Sequence, residues 1–251
     1  MQKSRASRVV LAGSVIGLAG LVLGDFVINR PNRLASGQGL SVFEALPVWQ
    51  WGLLIAGFVC LGGIALFPKR RLVLAATVLP ALLALGLLWI QGVTASALVQ
   101  SGGQFARVSI GSSLWLAFLG LFIVFTDLQQ RLGANSWFRM TLAGGFIAAL
   151  AGLVCSGVLS DVSLLMEFAS RSERFFAELK AHLLITGMSV TGAALLGLPL
   201  GVLLFKQKKL RVGVFSALNI VQTVPSLALF GLLIAPLAFL AANFPVLRNF
   251  Q

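Results

Sequence analysis

Four polar residues stand out in an apolar stretch near the end of the chain: Asn219, Gln222, Thr223 and Ser226 of LNIVQTVPSLALFGLLIAPL. They fall at i, i+3, i+4 and i+7, a spacing that stacks side chains on one helix face. Pro225 lies inside the stripe. It has no N–H, and its ring clashes with the carbonyl of Val221, so it predicts a kink or break. A polar face beside a break, at the entrance of a membrane span, suits a solvated translocation path or a gate. Hydrogen-bonding glue between neighbouring helices suits the same residues equally well.

Other chemistry is sparse. His182 is the single histidine, at the start of an apolar run, where it reads as an interface residue rather than a base or metal ligand. Cys60 and Cys155 sit in separate apolar runs without a CxxC spacing, and read as small apolar packing residues. HExxH, GxSxG and GxxxxGK[ST] are all missing. The sequence therefore predicts no catalytic residue, no metal site, no cofactor and no ATP site of its own. Asp25, one turn from the end of the first apolar run, is the best candidate for an intramembrane acid.

The elements that must position these residues follow from composition. Of 251 residues, 58% are hydrophobic and 10% charged, with a mean hydropathy of +0.97. A soluble surface needs about 25% charged residues, whereas a span needs about 20 consecutive apolar ones. Apolar runs at 9–28, 48–67, 72–90, 140–159 and 182–205 meet that need, and the shorter run at 113–125 approaches it if it begins near Val108. The pieces at 212–224 and 226–242 read as a broken helix entering from the cytoplasmic surface. The run at 9–28 is too long for a signal-peptide core and reads as a retained span. Its Gly13, Gly17, Gly20 and Gly24 permit close helix approach or are ordinary glycine enrichment. The stretch at 160–181 alternates charge with Leu164, Phe168, Phe175 and Leu179 at helical spacing. With Ser170 and Glu173 as a capping box, it reads as an amphipathic surface helix. The expected fold is an all-α, polytopic integral membrane protein of about six to seven transmembrane helices plus that surface helix.

The net charge of +12 would suggest nucleic acid in a soluble domain. Here Lys and Arg lie between apolar runs, so they orient the chain in a lipid bilayer and no nucleic-acid partner is expected. The tightest basic clusters, KRR at 69–71 and KQKKLR at 206–211, fall on one side if the N-terminus is cytoplasmic. Trp49, Trp51, Trp89, Trp115 and Trp137 are all expected at span ends, as an interfacial belt.

The segment LNIVQTVPSLALFGLLIAPLA, preceded by HLLITGMSVTGAALLGLPLGVLLF, resembles permease subunits of bacterial ABC importers for glycine betaine, choline and related osmoprotectants. PNRLASGQG (31–39), ARVSIGSSLWLA (106–117) and SGVLSDVSLLMEFASR (156–171) resemble the extra N-terminal membrane region of longer members. The resemblance implies about five helices in an N-terminal region, 1–165, followed at 166–251 by the first part of the permease domain. It implies several further spans and a cytoplasmic EAA-type coupling loop. No such loop is found up to Gln251, since the one Glu-Ala pair, Glu44–Ala45, lies in the first extracytoplasmic linker. The chain is thus expected to be incomplete and, alone, to support no uptake. Implied partners are a cytoplasmic ATP-binding subunit, an extracytoplasmic substrate-binding protein and a second permease copy or homologue, in the inner membrane. An ion-coupled carrier and a non-transporting scaffold are the alternatives.

Overall fold

The computed structural model describes residues 7–66, 70–103, 105–133 and 135–243. The basic residues at 3, 5 and 69, with Pro68, Pro245, Arg248 and Gln251, lie outside them. The chain divides into two compact units, Met1–Phe175 and Phe176–Gln251.

At the centre of the first unit is α1 (Arg8–Leu23). Its buried face is Val10, Gly13, Ser14, Gly17, Gly20 and Leu21, while Val9, Leu11, Val15 and Ile16 point outward. The polarity of an ordinary amphipathic helix is thus replaced by size. Four of the six buried residues are Gly or Ser, while the outward ones are large and apolar, as expected where close packing rather than water exclusion drives helix association. Backbone proximity explains the glycines. A Cβ on Gly13 would stand 2.9 Å from the Gly120 carbonyl of α6 (Ser112–Leu132). One on Gly120 would stand 2.6 Å from the Gly17 nitrogen, and one on Gly17 would strike the Phe58 ring of α3 (Val48–Leu66).

The first apolar run is shorter as a helix than expected. It ends at Leu23, and Asp25–Arg30 forms strand β1. Asp25 is therefore not in a membrane helix. Strand β2 (Gln38–Ser41) and strand β3 (Arg107–Ile110) flank β1 in an antiparallel sheet of order β2-β1-β3. Ile28 faces Gly39 on one side and Ser109 on the other. The sheet adds to the helical membrane class rather than replacing it. Where the chain leaves a helix at the membrane boundary, strand pairing satisfies backbone groups that a loose linker would leave bare. The β-branched pair Val27–Ile28 and the spaced Gly37 and Gly39 are its traces in the sequence, where they fit a helix end and a turn equally well. After β2 comes a single turn, α2 (Val42–Ala45), clasped by Glu44, which accepts from the Ser41 hydroxyl (2.7 Å) and backbone N–H (2.8 Å). Those two donors hold the Glu44 carboxyl below its ordinary value. The clasp is complete at neutral pH and lost as falling pH protonates the carboxylate.

Helix α4 (Arg70–Ala76) turns at Thr77 into α5 (Leu79–Gly102), which opens with Pro80 and closes at Gly103, φ +89°. The third run therefore continues well past Ile90, and Trp89 lies mid-helix rather than closing a span. Trp49, Trp51, Trp115 and Trp137 do sit near helix starts. The fourth run continues to Leu132, beyond the expected end at 125, and α7 covers Ser136–Cys155.

The expected single surface helix at 160–181 is two elements, α8 (Ser163–Ser170) and the first turns of α9 (Ser172–Lys206). The capping box does not form, because the Ser170 hydroxyl donates to the Glu167 carbonyl (2.9 Å). Phe168 and Phe175 stack edge-on across the break. His182 lies inside α9 rather than at its start.

Helix α9 has 35 residues and spans about 52 Å at about 1.5 Å per residue. Its charges are confined to its first nine residues and Lys206, leaving an uncharged stretch long enough for a core of about 30 Å. Among the described residues, five helices are long and apolar enough to cross a membrane, and a bent pair in the second unit, counted as one span, makes a sixth. At 16 residues α1 is shorter.

One polar clasp holds the N-terminal end of the first unit. Ser7 caps α1 by accepting from the Val10 N–H (3.1 Å), and its hydroxyl donates to Asp127 Oδ2 (2.7 Å). The same oxygen accepts from Arg131 Nε (2.6 Å), and the Ser7 N–H donates to the Ala65 carbonyl (2.9 Å). Three helix ends meet there. Asp127→Ala is expected to destabilise the protein by about 1–3 kcal/mol, because it removes an ionised acceptor from two donors. The check is a detergent melting curve against wild type.

Candidate functional site

The second unit carries the polar stripe. Helix α10 (Lys208–Thr223) ends at the stripe, and α11 (Ser226–Asn243) begins after Val224 and Pro225. The two axes bend by 102°. Proline explains the position of the break. It lacks the donor α11 would need to continue α10, and it pushes the preceding residue out of the helical region. Val224 indeed has φ −73° and ψ 122°. Its N–H still reaches the Val221 carbonyl (3.3 Å), and the Pro225 carbonyl accepts from Leu229 (3.0 Å).

The break divides the stripe. Asn219, Gln222 and Thr223 share one face of α10, whereas Ser226 starts α11 beyond the bend, its side chain outside the described ones. The expected four-residue face is thus three residues and a neighbour across a corner. Asn219, Gln222 and Thr223 are exposed, and the Thr223 hydroxyl donates to the Ile220 carbonyl (2.7 Å), satisfying an end of the helix. Among the described residues of this unit, Leu204 and Ala241 are the buried apolar side chains. Among the described residues no cluster of His, Cys, Asp or Glu could hold a metal ion.

A second polar cluster, missed in the sequence, caps the sheet of the first unit. Arg30 of β1 stands opposite Arg107 of β3 in register. Like charges so placed repel. Glu167 of α8 answers them, pairing with Arg33 (2.7 Å) and Arg107 (3.7 Å). Cations so far apart in sequence could not be grouped without the strand pairing.

Residues 5–165 match the family described as ABC transporter permease YehY, N-terminal domain. The chain belongs to this family. Sequence relatives extend the permease likeness. The chain is 32% identical over 82 residues to the glycine betaine/carnitine/choline transport system permease protein OpuCD of Bacillus subtilis (strain 168), covering 29% of this chain and 36% of that one. It is 28% identical over 96 residues to the choline transport system permease protein OpuBD of the same organism, covering 34% and 42%. Over 53 residues it is 43% identical to the osmoprotectant import permease protein OsmW of Salmonella typhimurium, covering 21% and 25%. The chain therefore spans well under half the length of these curated relatives. No solved structure matches it.

Proposed function

We propose that this chain is the N-terminal part of a transmembrane permease subunit in an ATP-driven importer of glycine betaine-like quaternary amines. What carries the reading is the broken pair α10–α11, with polar side chains at its bend, in a chain whose residues 5–165 belong to a permease family. Helices interrupted at membrane depth are where transporters place their paths, since unwound backbone is tolerated only beside water or protein. Residues 1–165 form the N-terminal membrane region and 166–251 open the permease domain proper. Asn219, Gln222, Thr223, Pro225 and Ser226 line the path or gate.

ATP is hydrolysed on a separate cytoplasmic subunit. An extracytoplasmic binding protein delivers the substrate, and a second permease copy or homologue completes the path. Cation–π selection falls mainly to the binding protein, consistent with a chain that contains no tyrosine. The permease lies in the bacterial inner membrane with its N-terminus cytoplasmic.

The deciding experiment reconstitutes the full-length permease with its ATPase and binding protein in liposomes. Labelled glycine betaine should enter only when ATP is present on the side of the membrane that carries the ATPase. Uptake driven by an ion gradient without ATP would refute the reading. Orientation is tested separately, by single cysteines in a background free of Cys60 and Cys155. Gln207→Cys should resist an impermeant reagent in intact cells, and Ala169→Cys should react.

A further inference from the structure

We propose that Arg30, Arg33 and Arg107, at the end of the three-stranded sheet, dock an acidic face of the extracytoplasmic binding protein. The partner is the one the importer reading above requires, and the docking point rests on that reading.

Strands β1 and β3 set two of the arginines side by side. Arg30 and Arg107 are register partners, so their side chains leave the sheet on one face. On that face the Ser109 hydroxyl meets that of Ser163 in α8 (3.3 Å). One helical turn on, Glu167 reaches Arg33 (2.7 Å) and Arg107 (3.7 Å). Arg107 also donates to the Ala106 carbonyl (2.9 Å).

Arg30 is left over. Among the described residues it has no ion pair and no hydrogen bond, and its Nε is shut off from solvent without an acceptor. Gly37 provides the cover. A Cβ there would stand 3.0 Å from that Nε, so glycine is what lets the guanidinium lie across β2. The terminal nitrogens of Arg30 are not shut off, and they offer a fork of donors suited to a carboxylate.

No acid of the first unit fills the vacancy. Asp161 precedes Val162, which bridges to Val108 beside Arg107, and it forms no ion pair among the described residues. Counting it with Glu167 still leaves one of three positive charges unanswered. Asp25 lies at the other end of β1, about 17 Å away at about 3.4 Å per residue. Glu44 is held by Ser41, and Asp127 by Ser7 and Arg131.

The surroundings favour a protein over a free anion. Leu34, 98% exposed, adjoins Arg33, and Phe105, 71% exposed, lies two residues before Arg107. A free anion would leave both in water, whereas apolar and aromatic side chains beside arginines are what a protein interface covers. The sheet follows the far end of α1, about 24 Å of helix from the Ser7 clasp. With a cytoplasmic N-terminus it therefore faces the extracytoplasmic side.

The test measures binding of the purified, betaine-loaded binding protein to the full-length importer in nanodiscs by interferometry. Arg30→Gln should weaken binding about thirtyfold, mainly through faster dissociation. It should not lower the melting temperature, since Arg30 has no internal acceptor to lose. Arg33→Gln, on the exposed rim, should instead slow association and flatten its salt dependence. In the unmodified importer the binding protein should shield Arg30 and Arg107 from phenylglyoxal, read by peptide mass. A benzophenone side chain at Leu34 should crosslink to it. If Arg30→Gln binds and transports as wild type does, the docking point is wrong and the importer reading stands. Uptake that needs no binding protein would overturn both. Equal shielding by millimolar phosphate alone, or Leu34 crosslinks confined to lipid or to the permease itself, would overturn the docking point.

Discussion

Gly120→Ala is expected to lower the melting temperature of the detergent-solubilised protein sharply, whereas Gly63→Ala should leave it unchanged or raise it. Both substitutions add about 1 kcal/mol of helix propensity. They differ in what the new methyl meets. At Gly63 it meets nothing within 4 Å; at Gly120 it meets the Gly17 nitrogen at 2.6 Å and Cα at 2.7 Å. Backbone cannot rotate away as a side chain can, so the helices must separate. Overpacking of this kind costs about 1–3 kcal/mol or more, and α1 is the helix around which α3 and α6 are arranged. Gly120→Leu should prevent assembly of the first unit, read as loss of the monodisperse peak in size-exclusion chromatography. If Gly120→Ala melts with Gly63→Ala, the α1–α6 contact does not organise this unit.

Gln222→Leu in the full-length importer is expected to reduce ATP-dependent uptake about tenfold, the effect of losing about 1.4 kcal/mol of polar stabilisation along a path. The amount of permease in the membrane should not change, since leucine raises the hydrophobicity of α10. Cysteine at Asn219 or Gln222 should react quickly with small hydrophilic reagents, and addition of substrate or nucleotide should alter the rate. Cysteine at Val224, half-buried at the break, should react slowly. If Gln222→Leu transports normally and all three cysteines react alike, the stripe is packing glue and the path lies elsewhere.

The two glycine-rich features of this chain show how far sequence reading reaches. Gly13, Gly17 and Gly20 are legible as a packing face because their spacing is that of a helix stripe. Whether the stripe is used depends on Gly120, on a distant helix that no local pattern ties to it. Gly86 and Gly152 look the same in sequence, yet they border empty space rather than a neighbour.

What the sequence by itself determined was the physics of each segment in isolation. A run of about 20 apolar residues must cross or leave the water, and charges must stay at its ends. Pro225 must interrupt a helix because its nitrogen has no hydrogen to give. Only the tertiary structure decided what depends on partners distant in the chain. The strand at Asp25–Arg30 exists because Gln38–Ser41 and Arg107–Ile110 pair with it; unpaired, the same residues continue a plausible helix. Glu167 meets Arg33 and Arg107 for the same reason. The bend of 102° also lies beyond the sequence, since a proline specifies where a helix ends but not the direction in which the next one starts.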